Sequence, residues 1–360
     1  MNEIDAYDYP LSESLIAQEP LADRSAARML LLGRHTGTIA HRHVRDLPDS
    51  LAPGDLVVVN DTKVVPARLI GRREETGGAW EGLFLATVAR GSKDRADRTL
   101  WRLVARTRGR PLPGERIVLV DPGGRDAARL ELVERGDGGT WLAAPDPDEP
   151  ATSLLARVGR VPLPGYIRGG EATDDDTDRY QTVFSRTPGS AAAPTAGLHF
   201  TDALLASLAA RGAARASVTL HVGLDTFRPI TADRLDDHPM HTEWCECPRE
   251  TVEAILETRS RGGRVIAVGT TTMRTLETAA ARSSDPRGLS PFCGPTDLFI
   301  RPGFSFRAVD GLLTNFHLPR TTLMVLVSTF ASRERILAAY EEAIRERYRF
   351  LSYGDCMLVV

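Results

Sequence analysis

The 360-residue chain has room for two domains, or for one large domain carrying an insertion. With 42% hydrophobic and 26% charged residues and a net charge of −3, it reads as a globular protein and not as a polybasic, non-specific nucleic-acid binder. No apolar run reaches the roughly 18 residues of a spanning helix, and Cys245, Cys247, Cys293 and Cys356 do not form a disulfide framework.

Residues 1–62 mix a short helix with strands. Ser12 is placed to cap a helix through Ala17, and Pro20 follows as a stop signal. Strands are expected at 29–32, 39–44 and 56–59, with Gly33, Gly37, Pro53 and Gly54 in the turns. Residues 63–150 read as six short strands, at 64–70, 80–88, 100–106, 116–120, 128–133 and 140–143. Gly, Pro and Asp clusters separate them, which predicts a small antiparallel barrel inserted in the chain. Residues 151–360 alternate helix and strand. Thr201 caps a helix with Leu204, Leu205 and Leu208 on its apolar face; a strand over 217–222 and a helix over 249–261 follow. Strand 265–268 runs into a helix over 272–282. Helices at 321–330 and 333–347 precede a last strand at 357–360. This alternation implies an α/β layer structure beside the strand-rich region. The acidic, turn-rich stretch 169–178 reads as a loop. The N-terminus lacks a basic-then-apolar leader pattern, so we expect a cytoplasmic protein.

Four polar clusters carry chemistry. Pro194-Thr195-Ala196-Gly197-Leu198-His199 sets a histidine just before a capped helix, whose N–H groups and positive dipole end suit an anion. Thr219-Leu220-His221 closes a strand, where a lone histidine is more often a core residue. Thr314-Asn315-Phe316-His317 reads as a loop with an amide, an aromatic ring and a histidine. Gly269-Thr270-Thr271-Thr272-Met273-Arg274 is a strand-to-helix junction of the kind that binds ligands in α/β sheets, though without a glycine-rich nucleotide fingerprint. His238, His241, Cys245 and Cys247 concentrate metal-ligand types in one stretch. The alternation around Trp244 fits a strand with packing cysteines better, and no metal is expected.

Several long motifs in one order make the chain resemble the S-adenosylmethionine:tRNA ribosyltransferase-isomerase family of queuosine biosynthesis. They lie at 15–21, 60–69, 193–201, 219–223, 238–243, 267–277, 296–300, 312–319 and 348–355; the strand-rich middle matches least. The resemblance implies an α/β catalytic domain, residues 1–62 and 151–360, with a six-stranded antiparallel barrel over 63–150 inserted in it. It also implies transfer of the ribosyl part of S-adenosylmethionine to 7-aminomethyl-7-deazaguanine at the tRNA wobble position. Epoxyqueuosine forms, and adenine and methionine are released. The sulfonium acidifies the neighbouring ribose carbon, so a base is needed there and an acid at adenine.

On this resemblance His199, His221 and His317 are the expected acid/base set, since histidine exchanges protons near neutral pH. Asp61 is a second candidate base or ribose-hydroxyl acceptor. Thr270, Thr271 and Arg274 are expected on the methionine carboxylate, and Phe316 or Tyr353 against the sulfonium. Asn60, Arg68, Thr195, Gly197 and Asn315 complete the substrate-binding set. The expected partners are tRNA and S-adenosylmethionine, with no membrane, no cofactor beyond that co-substrate, and a monomeric protein. Lys63 stands where the family pattern has arginine and Asp225 where it has glycine. Rival readings are a methyltransferase using the same donor, a paralogue with another acceptor, and a non-catalytic RNA-binding relative.

Overall fold

A computed structural model describes residues 2–88, 99–223, 230 and 232–360. These group into two compact units: Met1–Lys63, Pro164–Glu171 and Asp178–Val360 in one, Val64–Leu163 and Ala172–Thr177 in the other.

The first unit is a layered α/β structure on a nine-stranded sheet. The strand order is Phe292–Thr296, Glu243–Cys247, Ala214–Leu220, Leu56–Asn60, Val265–Val268, Gly311–Asn315, Cys356–Val359, Arg28–Leu32 and Ile39–His43. Alternation along the central strands sorts side chains to two faces. Leu56, Val58, Val265, Ala267 and Leu312 pack with the helices Arg249–Ser260, Thr270–Ala281, Thr322–Ala331 and Arg333–Arg345. Val57, Val59, Ile266, Val268 and Leu313 pack on the other face with Leu204 and Leu208 of the helix Asp202–Ala210. Four neighbouring strands, Ala214–Leu220, Leu56–Asn60, Val265–Val268 and Gly311–Asn315, run parallel. Their carboxyl ends therefore lie along one edge. The first of the four in sequence, Leu56–Asn60, has the second on one side and the third on the other, which is a topological switch point.

The second unit is a closed barrel of six antiparallel strands, Arg68–Arg73, Ala79–Val88, Leu100–Thr107, Thr140–Asp146, Asp126–Arg135 and Arg116–Val120. The ring closes where Gly71 pairs with Leu119, Arg72 with Val118 and Arg73 with Ile117. A Cβ at Gly71 would lie 2.4 Å from the Val118 carbonyl oxygen, so the closure needs a glycine. Trp80, Trp101, Trp141, Leu103, Leu119 and Leu130 fill the interior with Leu154 and Leu155 of the helix Ala151–Val158.

The sequence expectations shift at particular points. The strand expected over 64–70 is divided into Thr62–Val64 and Arg68–Arg73, because Pro66 has no N–H to give to a ladder. The helix from Ser12 is a single 3-10 turn, Glu13–Leu15, with Ser12 capping it. The stretch 169–178 holds a 3-10 turn, Arg168–Gly170, and the short helix Asp176–Arg179. The stretch around Thr314, read as a loop, is the end of a fully buried strand. Asp225 lies outside the described residues.

Candidate active site

The carboxyl ends of the four parallel strands deliver Asn60 and Asp61, His221, Gly269 to Thr271, and Asn315 to His317. A cleft with about 630 Å³ of space, part of it open to solvent, lies there. Thr195, Thr270, Thr271, Asn315, Phe316 and His317 line it, together with Tyr166, Val222, Thr321 and Ser352, which sequence reasoning missed. Tyr166 and Ser352 are joined by a 2.7 Å hydroxyl pair. No local spacing connects those two positions.

One wall is the N-terminus of the helix Thr270–Ala281. Gly269 precedes it at φ 92°, a backbone that favours glycine, and turns the chain from strand directly into helix. The helix begins two residues before its expected start, so Thr270 and Thr271 form its first turn. The N–H groups there have no partner within the helix and face the positive dipole end. Thr271 accepts from Asn60 Nδ2 at 3.2 Å. The Thr270 hydroxyl has no partner among the described residues, and Thr270 lines the cleft.

Asn60 works as a strut. Its amide also donates to the Leu220 carbonyl at 3.0 Å, and its oxygen accepts from the N–H of Leu220 at 3.0 Å and of Thr62 at 3.1 Å. Asp61 is buried and accepts from Thr219 Oγ1 at 2.7 Å and Arg186 Nη2 at 2.8 Å.

The three histidines differ. Asn315 Oδ1 accepts from the Thr195 hydroxyl at 2.9 Å, and Nδ2 faces the Leu351 and Asp355 carbonyls at 3.2 and 3.3 Å. Nδ2 also lies 3.3 Å from His199 Nε2, so its two protons are shared among three acceptors. Burial pushes His199 down to about 4. His317 is buried too, and desolvation takes it to about 3. The Thr314 hydroxyl has one proton and two acceptors within reach, His317 Nε2 at 2.9 Å and the Asn315 carbonyl at 3.2 Å. His317 Nδ1 has no partner among the described residues, and the ring lines the cleft. His221 pairs with Thr62 Oγ1 at 2.8 Å through Nδ1 and stacks on Trp244 at 5.2 Å. Partial burial lowers its pKa, against the pull of Asp61.

The structure does not bring every expected residue to this cleft. Asn60, Asp61 and His221 stand at the strand ends but are not among the residues that line it. His199 and Tyr353 line a different pocket with Arg24 and Arg179. Tyr353 packs edge-on against Tyr180 at 5.8 Å. Gly197 is buried, and a Cβ there would meet Phe184 at 2.8 Å, so its smallness serves packing. Arg68 belongs to the barrel unit, where its Nε meets Glu81 at 2.7 Å. Arg274 lies one helical turn beyond Thr270 but lines another pocket, drawn there by an ion pair with buried Glu243. Cys245 and Cys247 share the buried face of their strand, and burial raises the thiols to about 11 and about 12.

A family model described as queuosine biosynthesis protein matches residues 4–359. The chain therefore belongs to the queuosine biosynthesis protein family. It is 49% identical over 353 residues to the S-adenosylmethionine:tRNA ribosyltransferase-isomerase of Anaeromyxobacter sp., covering 98% of this chain and 97% of that one. It is 48% identical to the protein of the same name from Erythrobacter litoralis, covering 99% and 98%. The crystal structure of S-adenosylmethionine tRNA ribosyltransferase from Thermotoga maritima is similar at 35% identity and a TM-score of 0.55, covering 99% of this chain and 100% of that one.

Proposed function

We propose that this protein is an S-adenosylmethionine:tRNA ribosyltransferase-isomerase. It moves the ribosyl part of S-adenosylmethionine onto 7-aminomethyl-7-deazaguanine at the tRNA wobble position and isomerises it. The names of relatives at 48–49% identity support this reading. The site observation that carries it is the pairing, in one cleft, of a helix N-terminus with a buried histidine whose Nδ1 has no partner among the described residues. The first suits the methionine carboxylate. The second suits removal of a proton from the carbon beside the sulfonium, in surroundings that exclude water.

His317 takes the C5′ proton, and the electron pair left there forms a C4′–C5′ double bond as the C4′–O bond of the ribose breaks. The freed oxygen becomes an aldehyde at C1′ as adenine leaves with the glycosidic electron pair and takes up a proton. The aminomethyl nitrogen adds to C4′ and gives up a proton, which returns an electron pair to C5′ beside the sulfonium. C5′ then bonds to C1′ and closes the five-carbon ring, and the resulting alkoxide displaces methionine from C5′ as the epoxide forms. We assign binding of the methionine portion to Thr270 and Thr271, and the sulfonium face to Phe316. Asp61 and His221 stand beside the cleft as further proton carriers. The protein acts as a cytoplasmic monomer and uses no cofactor beyond its co-substrate. Among the described residues no helix is long and apolar enough to cross a membrane.

The test is incubation with S-adenosylmethionine and tRNA bearing the aminomethyl base. Free adenine, methionine and a mass gain at the wobble base are expected. S-Adenosylhomocysteine in their place would mean methyl transfer, and adenine release without a change at that base would mean a different acceptor.

A further inference from the structure

The α/β unit holds another pocket, enclosing about 520 Å³ of open space, to which the ribosyl-transfer reading assigns no role. Its polar lining includes Arg274, Glu243 and His238, and its apolar walls include Leu298, Phe299 and Leu326. Arg274 is only 4% exposed. Its Nη1 is paired with Glu243 and its Nε donates to the Leu298 carbonyl at 3.2 Å. The third nitrogen, Nη2, is shut off from solvent and has no hydrogen-bond partner among the described residues. Two arms of the guanidinium are thus fixed, and the third is a donor left open on a side chain that lines the pocket.

The charges nearby select what that donor takes. Glu243 already balances Arg274, and its other oxygen accepts from the Gly223 N–H at 2.9 Å. A carboxylate or phosphate would find one N–H arm instead of a fork, with a buried carboxylate beside it. A neutral carbonyl oxygen meets the same donor without that repulsion. The walls are apolar, and Phe299 stands edge-on to His238 at 5.8 Å. The ligand that fits is an uncharged, flat heteroaromatic ring carrying a carbonyl group.

We propose that this pocket holds the acceptor nucleobase, with the ring carbonyl of the deazaguanine on Arg274 Nη2. The inference rests on the ribosyl-transfer reading and adds a subsite to it. Leu323 lines both this pocket and the catalytic cleft, so one side chain forms a wall common to donor and acceptor.

The experiment uses anticodon stem-loop RNA with 7-aminomethyl-7-deazaguanine at the wobble position, and the same RNA with adenine, which has an amino group where the carbonyl stands. Equilibrium binding is measured without S-adenosylmethionine, so it does not depend on turnover. The wild type is expected to prefer the carbonyl base by about tenfold, the worth of one hydrogen bond to a charged group. Arg274→Lys keeps the charge but loses the open arm, and should erase that preference. Phe299→Leu should weaken both RNAs, and neither variant should move the KM for S-adenosylmethionine by more than about twofold. If Arg274→Lys does not melt cooperatively, Phe299→Leu and the wild-type preference decide. An intact preference in folded Arg274→Lys, or a KM rise confined to S-adenosylmethionine, overturns the proposal. So does a wild type that does not discriminate between the bases. Failure of wild-type protein to release adenine while base preference persists would sink the ribosyl-transfer reading alone.

Discussion

Asn315 joins two histidine-bearing segments: its Nδ2 lies 3.3 Å from His199 Nε2 while it sits two residues before His317. Replacing Asn315 with aspartate would put an acceptor oxygen against His199 Nε2. The ring can then satisfy the contact only by holding a proton there. We expect Asn315→Asp to raise His199 from about 4 to above its ordinary 6.5, read from the histidine ring resonances across a pH titration. An unchanged titration would show that the amide does not set the ring.

Burial of His317 links stability to pH. Its folded value of about 3 lies below the unfolded 6.5, so the unfolded chain binds the extra proton first. The stabilisation is complete above about pH 6.5 and is lost as pH falls from there towards 3. At about pH 5 the loss is on the order of 2 kcal/mol for this ring. His317→Gln, which can keep a bond to Thr314, should flatten the fall in melting temperature between about pH 7 and pH 5. The same variant should lower kcat by about 10²- to 10⁴-fold through loss of the base. Wild-type turnover in it would move the base elsewhere.

Thr270 lines the cleft with no partner for its hydroxyl among the described residues, whereas Thr271 is engaged by Asn60. Thr270→Val should therefore raise the KM for S-adenosylmethionine about tenfold, with an unchanged melting temperature. Steady-state kinetics with saturating RNA reads this directly. An unmoved KM would remove the helix N-terminus from donor binding.

Asp61 and Arg186 separate support from chemistry. Arg186 is largely exposed, so Arg186→Ala should cost under about 1 kcal/mol and leave turnover intact. Asp61→Asn can still accept from Thr219 and should fold, yet lose about 10²-fold or more in kcat if the carboxylate moves protons. Two variants with wild-type kcat would reduce Asp61 to a brace between strand ends.

The barrel strands were legible because polar–apolar alternation is interrupted by Gly, Pro and Asp clusters at each turn. The central strands were harder. Gly311–Asn315 is buried on both faces, so nothing alternates, and the polar pair at its end reads as loop chemistry. Phe292–Thr296 contains Gly and Pro and gave no strand signal, since it sits at the sheet edge, where ladder bonds are needed on one side only. The motif residues around the sheet edge were found, but their division among three pockets was not. Helical spacing puts Arg274 one turn from Thr270, and only the distant Glu243 pulls its head away. Likewise, nothing in the spacing of His199, His221 and His317 says that Asn315 faces Nε2 of the first and Thr314 faces Nε2 of the last.

The strand Cys356–Val359 lies between Gly311–Asn315 and Arg28–Leu32, and the Arg28 amide is held by Asp355 across 327 positions. The opening hairpin of the chain therefore waits for a neighbour made much later. At the usual pace of synthesis, about 5 to 20 residues per second, the delay is roughly 15 to 60 s. Throughout it Leu30 and Leu32, buried in the finished protein, have no sheet beside them. The nascent chain is thus exposed to wrong strand partners at its front end, and a chaperone bound to that hairpin would have tens of seconds in which to act.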